Sequence, residues 1–196
     1  YYSCQIYNNQ SIKFDSKILL EKLSYFILER FKFYMKEKKI RQDIIETSLI
    51  KFNLNSLLTI YNKASKLNKI IDKKIGTDLT MNYRRSYNIL NSEIKIIKNE
   101  DLSSVDPALF KNEYEKNLYK KLCDVAKSFT NIKIENDYDA QLTLLSSVKQ
   151  ELTNFFENVI VNDNDVNIKK NRLLLLKFLC KTFDNYLSFA KIETAK

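Results

Sequence analysis

Glycine and proline are almost absent from this chain of 196 residues, which contains only Gly76 and Pro107. Glycine permits the tight turns that strand-rich folds need, and proline interrupts helices, so their scarcity favours long helices with few breaks. Hydrophobic residues make up 44% of the sequence, and they recur at helical spacing along most of it. The sequence therefore predicts an all-α fold, a bundle of about six to eight helices.

The first strong helical pattern covers residues 17–38, with Asp15 or Ser16 as its capping residue. Its predicted buried stripe recurs at helical spacing and consists of Leu20, Leu23, Ile27, Phe31 and Tyr34. Later helices are predicted over residues 136–154 and 166–192. The last of these would be about 40 Å long at about 1.5 Å per residue.

The single glycine is predicted to separate two helices. Apolar positions at helical spacing run up to Ile71, and a new helical pattern opens at Thr77 or Asp78. Gly76 lies between the two patterns and can adopt a left-handed conformation at low cost. We therefore expect the break between these helices at Gly76.

Basic residues outnumber acidic residues by 33 to 24, which gives a net charge of +9. A surface of this charge attracts polyanions such as RNA, and its affinity for them falls as the salt concentration rises. The same excess also describes an ordinary solvated basic surface. Net charge is therefore compatible with RNA binding but does not decide it.

The three cysteines, Cys4, Cys123 and Cys180, lie far apart, and the chain contains no histidine. This set does not supply the usual ligand spacings of a zinc site, and scattered cysteines are typical of a reducing cytosol. No signal peptide or long apolar run is evident, so we expect a soluble cytoplasmic protein without a membrane partner. The chain does not begin with Met, and we expect it to be a piece of a longer polypeptide.

No catalytic residue is predicted. Without histidine, imidazole general-base mechanisms and Ser/His or Cys/His pairs are excluded, and a single glycine excludes the glycine-rich phosphate loops. Asp137 and Asp139 could face one another, but acidic residues before a helix are more often helix caps.

RNA-binding candidates lie in the segment YRRSYNIL, residues 83–90, and one position beyond it. On a helix, Arg84, Asn88 and Asn91 share one face, and Arg85 lies about a hundred degrees away. Arginine can pair with phosphate or stack on a base, and asparagine can bond to the edges of unpaired bases. The alternatives are a solvated face, or an arginine paired to a carboxylate within the bundle.

A second group of candidates lies near the start of the last predicted helix. Lys169 and Arg172 share a face where the positive end of the helix dipole favours phosphate. The same position suits an internal ion pair from Arg172 to Asp163 or Asp165. The structural role is the preferred interpretation for this segment, because it joins an apolar turn to a helix.

Aromatic and lysine residues give weaker candidates. Tyr83 or Tyr87 could stack on a base, although their helical spacing favours a core position. Phe155 and Phe156 are expected to pack in the core. The lysines within residues 63–74 would contact phosphates if they contact RNA, and a solvated face is the default interpretation of such a run.

Three motifs together resemble a known family. The segment FFENVIV (155–161), an acidic loop and KKNRLLLL (169–176) resemble the end of a DALR-type anticodon-binding domain of aminoacyl-tRNA synthetases. YRRSYNIL (83–90) and SVDPALF (104–110), in this order and spacing, are similar to the C-terminal region of bacterial glycyl-tRNA synthetase beta subunits. The resemblance extends from about Ile18 to Ile192.

The resemblance implies recognition of the anticodon arm of tRNA-Gly, with contacts from Arg84, Arg85, Asn88, Asn91, Lys169 and Arg172. It also implies a parent enzyme, a glycine–tRNA ligase that uses ATP and glycine and contains an alpha subunit as partner. Adenylation and glycine transfer would belong to that alpha subunit, so no cofactor is expected in this chain.

Two domain arrangements remain open at this stage. Residues 1–99 form a helical segment leading into a DALR-like bundle of residues 100–196, or the two form one continuous domain. Two other functions also remain open, a helical module that joins subunits or domains and the DALR domain of another synthetase such as the arginyl enzyme. The segment SVDPALF speaks against the arginyl enzyme.

Overall fold

Eight α-helices of seven residues or more make up the fold in the part of the chain that the computed structural model describes, residues 15–50, 52–97, 105–130 and 137–193. They are α1 (Ser16–Glu37), α2 (Gln42–Ser48), α3 (Leu57–Ile70), α4 (Lys74–Ser92), α5 (Glu113–Phe129), α6 (Tyr138–Ser146), α7 (Lys149–Asn158) and α8 (Val166–Asp184). A one-turn helix, Ile94–Ile97, and 3-10 turns at Leu54–Ser56 and Pro107–Leu109 complete the set. No strand occurs in these residues, which confirms the all-α prediction.

Helix α8 is the centre of the core. Most of its 19 residues are buried, including the run Leu173 to Leu176. A helix that is apolar on nearly every side is one that other helices surround, and α8 packs mainly against α4 and also against α5. The side chain of Asp165 caps it by accepting hydrogen bonds from the backbone N–H groups of Asn167 and Ile168.

The predicted end of α8 at residue 192 is wrong, because the helix ends at Asp184. Side chains from other helices bind the chain just beyond this point. Lys63 Nζ donates to the carbonyl oxygen of Asn185 at 3.0 Å, and the Tyr186 hydroxyl donates to the carbonyl oxygen of Lys63 at 2.9 Å. These tertiary bonds satisfy polar groups without further helix, and Phe189 still reaches the core.

The single helix predicted over residues 136–154 is two helices, α6 and α7. Ser146 and Ser147 lie at the junction, and their hydroxyls donate back to carbonyl oxygens of the preceding turn. Such side-chain bonds compete with the helical ladder. Val148, which follows the two serines, is fully buried in the core. The interpretation of the acidic residues before this helix as caps is correct for Asp137, which accepts a hydrogen bond from a backbone N–H in the first turn of α6.

Gly76 does not mark a helix break. It is buried within the first turn of α4 and has no positive φ; the break lies before it, between Ile70 and Lys74. A Cβ atom at Gly76 would lie 2.2 Å from the carbonyl oxygen of Ile70. The glycine is therefore needed for close approach of α4 to the end of α3, rather than for a left-handed turn.

The predicted buried stripe of α1 is also largely wrong. Asp15 caps this helix as predicted, accepting from two backbone N–H groups, but Leu20 is 58% exposed and Leu23 is 48% exposed. Met35, close to the end of the helix, is its buried residue, and α1 contacts α2. Despite this apolar surface, none of the helices among the described residues has the length and hydropathy of a membrane span.

One hydrophobic cluster contains most of the buried apolar residues between Met35 and Ile192. It draws on both predicted parts of the chain, 1–99 and 100–196, because α4 packs directly on α8. The division into two domains itself remains a prediction.

Candidate nucleic-acid interface

The outer edge of α4, defined here as Arg84, Arg85, Asn88 and Asn91, carries the first group of predicted RNA contacts. The opposite side of α4 is buried, and it anchors the helix in the core. This leaves Arg85, Asn88 and Asn91 exposed, whereas Arg84 is half-buried. Burial of one side of α4 therefore determines which polar side chains of this segment are exposed to solvent.

Arg85 is held in place by an aromatic ring from α7. Its guanidinium carbon lies 4.1 Å from the centroid of the Phe156 ring, a distance typical of a cation–π contact. Phe156 in turn packs edge-on against the fully buried Phe155, with ring centroids 5.5 Å apart. The planar cation is thus oriented before any ligand binds, while its side chain remains exposed.

Helices α4 and α7 lie side by side in parallel register. Their first contact is the ion pair between Lys149 Nζ and Asp78 Oδ2, at 2.5 Å. Seven residues further along both helices, Arg85 lies over the Phe156 ring. Near the ion pair, a cavity of about 390 Å³ opens between apolar side chains that include Leu152. The exposed edge of α4 therefore continues onto α7.

Arg172, from the second group of predicted contacts, is bonded inside the protein. Arg172 Nε donates to Glu115 Oε1 at 2.6 Å, and Arg172 Nη1 donates to Asp163 Oδ2 at 2.7 Å and to the carbonyl oxygen of Ile160 at 2.8 Å. Only 5% of the Arg172 side chain is exposed. This is the internal ion pair that the sequence favours as the structural role. Contact of Arg172 with RNA remains a prediction, and this burial disfavours it.

Lys169 lies at the same end of α8 but near the surface. Its Nζ atom pairs with Glu93 Oε1 at 2.8 Å, and both side chains are about one-fifth exposed. Glu93 directly follows α4, so this pair ties the start of α8 to the end of α4. RNA would have to compete with Glu93 for this ammonium group.

Glu115 is a buried residue that the sequence reasoning missed. Besides Arg172, its carboxylate accepts hydrogen bonds from the backbone N–H groups of Lys111 and Asn112, and the Asn112 side chain accepts from the N–H of Glu115. Asn and Glu three positions apart form a capping box. That pattern was the available sequence signal, although it does not reveal the arginine partner.

The acidic loop before α8 also has a structural use. The backbone N–H of Asp165, followed by Lys111 and Arg172, holds the pKa of the Asp163 carboxyl below its ordinary value. The carboxylate form of Asp163 is therefore the form that binds Arg172. This loop therefore fixes the buried arginine.

Some of the aromatic and lysine candidates are buried or paired within the protein, and others are exposed. Tyr83 is buried, its hydroxyl donates to Asp184 Oδ1 at 3.0 Å, and burial raises the pKa of Tyr83, so it belongs to the core. Tyr87 stacks on it and is half-buried. Within residues 63–74, Lys66 pairs with Asp139, while other lysines at the end of this run are exposed.

Among the described residues, no group of three or more potential ligand side chains is arranged to hold a metal ion. Cys123 and Cys180 are both free thiols. Burial raises the pKa of the Cys180 thiol, which disfavours its reactive thiolate form.

Comparison with known proteins identifies a family for most of this region. Residues 79–196 match the family model described as DALR anticodon binding domain. The chain is 36% identical over 168 residues to the glycine–tRNA ligase beta subunit of Rickettsia bellii (strain OSU 85-389), covering 85% of this chain and 23% of that protein. It is 33% identical over 180 residues to the beta subunit of Rickettsia prowazekii (strain Madrid E), covering 92% and 25%. The chain thus spans about a quarter of the length of these relatives.

Proposed function

Because the chain belongs to the DALR anticodon-binding domain family, we propose that it binds the anticodon arm of a tRNA along the outer edge of α4 and the adjoining part of α7. The observation that carries this proposal is the exposed Arg85 guanidinium, oriented by Phe156 within the residues that match the family. Asn88 and Asn91 extend the same exposed edge.

These residues suit unpaired RNA bases. The guanidinium plane of Arg85 can stack on a base or pair with a phosphate, and Phe156 reduces the entropy lost when it does so. The amides of Asn88 and Asn91 offer both donors and acceptors to base edges. The net charge of +9 would speed the encounter with RNA without selecting a sequence.

The substrate of the longer protein is part of the same proposal. Similarity to glycine–tRNA ligase beta subunits supports tRNA-Gly as the ligand and attachment of glycine as the overall reaction. In this proposal ATP and glycine bind outside this chain, an alpha subunit completes the enzyme, and the complex works in the cytoplasm. The part played by this chain is recognition rather than catalysis.

The test is equilibrium binding of this chain to tRNA-Gly, to tRNA-Gly with a mutated anticodon and to an unrelated tRNA, each at two salt concentrations. We expect tighter binding to the intact anticodon. Arg85→Ala should weaken binding to tRNA-Gly by about tenfold, because it removes one stacking surface and one charge. The preference for the intact anticodon should decrease with it.

Arg30→Ala is a matched control for this experiment. Arg30 on α1 is also exposed and lies over an aromatic ring, with its guanidinium carbon 5.3 Å from the Phe26 centroid. Its removal subtracts the same charge and the same kind of contact at a different surface. Equal losses from Arg85→Ala and Arg30→Ala, with no preference among the three tRNAs, would reduce the binding to non-specific attraction.

A second function, contact with another part of the longer protein, is supported by α1. Large apolar residues exposed on this helix include Leu19, Leu23, Tyr25, Phe26 and Phe33. Leu19, Leu23, Phe26 and Phe33 share one face of the helix by their spacing, and an exposed apolar face is typical of an interface. Because the relatives are about four times as long as the matched region, we infer that the remainder of such a protein covers α1.

This second function has its own test. In a protein of the relatives' full length, Leu23→Lys combined with Phe26→Lys should lower the melting temperature, because two lysines would be buried. The same pair of changes in the present chain should leave it nearly unchanged. An equal response in both proteins would contradict the interface role of α1 and would leave the tRNA proposal untouched.

A further inference from the structure

A cavity of about 390 Å³ opens between α4 and α7, the two helices that carry the proposed RNA contacts. Its volume lies near the lower end of the range of about 300–1,000 Å³ that is typical of small-molecule sites. Apolar side chains from four helices and from the turn between α6 and α7 form most of its lining, Ile75, Leu79, Leu145, Val148, Leu152 and Phe183. Such a lining favours a flat, uncharged group over a charged one.

Asn82 is the polar side chain placed to bond a ligand in this cavity, which it lines. Asp78 and Arg85, four residues before it and three residues after it, both contact α7. Residues three and four positions apart share a helix face, so Asn82 faces α7 as well. It is half-buried, and its side-chain amide has no hydrogen-bond partner among the described residues. The amide can therefore offer a donor and an acceptor to a ligand.

The charged residues that line the cavity are two lysines and one carboxylate, Lys74, Lys149 and Asp78. Both lysines are exposed, so they border the cavity on the solvent side. Asp78 is paired with Lys149, which leaves the charge of Lys74 in excess. The arrangement favours a ligand with an uncharged flat group inside the cavity and a negative group outside it. An unpaired nucleotide, with its base and its phosphate, has this composition.

We infer that the cavity between α4 and α7 receives one unpaired base of the bound RNA loop, with the faces of the base against the apolar lining and one edge bonded to the Asn82 amide. This inference rests on the proposed function, since the loop must lie along α4. Asn82 is three residues before Arg85, a rise of about 4.5 Å along the helix. Neighbouring nucleotides of one loop can therefore contact Arg85 and enter the cavity, and Lys74 then meets a phosphate beside the inserted base.

Two neighbouring serines give a matched pair of variants for this cavity. Ser146 lines it, whereas the exposed Ser147 does not. The hydroxyl of each serine donates to a carbonyl oxygen of the preceding turn. Ser146→Phe and Ser147→Phe therefore remove the same kind of bond and add the same ring, but only Ser146→Phe should fill the cavity. Both residues follow from α6 rather than α4, so neither change alters the exposed edge that carries Arg85.

The experiment measures binding of this chain to the anticodon stem–loop of tRNA-Gly and to copies of that RNA in which one loop nucleotide at a time lacks its base. Loss of the inserted base should weaken binding to the wild-type chain about fivefold to a hundredfold. Ser146→Phe should weaken binding of the intact loop by a similar factor, and it should bind the RNA without that base no more weakly than the intact loop. Ser147→Phe should bind every RNA as the wild type does.

Asn82→Leu tests the bonded edge of the base without filling the cavity. It removes one hydrogen-bond partner, so it should weaken binding of the intact loop about twofold to tenfold. It should not weaken binding of the RNA that lacks the inserted base. Thermal unfolding curves check that the variants remain folded. If Ser146→Phe does not fold, the same comparison with Asn82→Leu decides the inference.

The outcomes separate this inference from the proposed function. If Arg85→Ala weakens binding of the intact loop but Ser146→Phe binds it as tightly as Ser147→Phe, the inference is overturned and anticodon-arm binding remains. A loss from Ser146→Phe that is equal for the intact loop and every abasic RNA also overturns it, because no single base is then involved. Wild-type affinity of Asn82→Leu contradicts the bond to the base edge. If the stem–loop does not bind at low salt, the proposed function fails, and the inference fails with it.

Discussion

Arg85 on α4 and Arg172 on α8 belong to two similar sequence segments, each combining arginine, asparagine and apolar residues. In the structure the two arginines have opposite surroundings. Arg85 is exposed and rests on one aromatic ring, whereas Arg172 is buried and bonded to two carboxylates and a carbonyl oxygen. A basic motif can thus maintain the fold or meet a ligand, and burial distinguishes the two uses.

The largest expected effect belongs to the buried arginine. Arg172→Leu should lower the free energy of unfolding by about 3–5 kcal/mol, because the buried Glu115 side chain would lose its ionic partner. Chemical denaturation measures this difference. The matched change Lys181→Ala, at an exposed position on the same helix, should stay within about 0.5 kcal/mol of wild type.

A double variant sharpens this prediction. Glu115→Gln keeps an oxygen acceptor for the backbone N–H groups of Lys111 and Asn112 but removes the stranded charge. Added to Arg172→Leu, it should restore part of the lost stability. If the double variant is as unstable as the sum of the two single variants, the buried charge is not the cause.

A smaller loss is expected where α4 meets α3. Gly76→Ala would place a methyl group 2.2 Å from the carbonyl oxygen of Ile70, and overpacking of this kind typically costs about 1–3 kcal/mol. The gain in helix propensity, about 1 kcal/mol, opposes the clash without removing it. Thermal or chemical unfolding should show a net loss, while Lys74→Ala on the same helix should change little. A more stable Gly76→Ala variant would show that the close approach is not required.

The acidic loop at the start of α8 should give a pH-dependent effect. Because the pKa of folded Asp163 lies below its ordinary value of 3.8, its contribution to stability is present above that value. It is lost as the pH falls through the lower folded pKa. Asp163→Asn should therefore be less stable than wild type at neutral pH, and the difference should shrink in acid below about pH 4. Parallel stability curves for the two proteins would contradict this role of Asp163.

The smallest effect on stability is expected at the exposed arginine. Arg85→Ala should lower the free energy of unfolding by at most about 1 kcal/mol, the value typical of an exposed cation–π contact. Its effect should appear in RNA binding instead. A loss of stability as large as that of Arg172→Leu would remove the distinction between the two regions, because both arginines would then maintain the fold.

Much of the fold follows from local patterns in the sequence. The scarcity of glycine and proline and the helical spacing of apolar residues indicate the all-α class. Short-range signals also indicate the caps at Asp15 and Asp137, because a capping side chain acts within three residues of its own position.

The errors arise where distant residues determine the result. Gly76 is needed for contact with Ile70 of another helix, and α8 ends early because Lys63 bonds to the chain beyond it. The apolar stripe of α1 correctly predicts a helix, but periodicity does not say whether a neighbour covers it. Each of these features depends on tertiary packing that no local pattern records.

The geometry of the candidate site follows from the sequence only in part, for the same reason. The helical face of Arg84, Asn88 and Asn91 follows from spacing, but the support of Arg85 by Phe156 joins residues 71 positions apart.

Anticodon-arm binding along α4 is tested most directly by mapping the backbone amide chemical shifts of this chain while an anticodon stem–loop of tRNA-Gly is added. We expect the largest changes on the exposed edge of α4 near Arg85 and Asn88, and on α7 near Phe156. Arg85→Ala should remove most of them at the same RNA concentration. Changes centred on α1, or spread evenly over the basic surface and unaffected by Arg85→Ala, would contradict anticodon-arm binding at this edge.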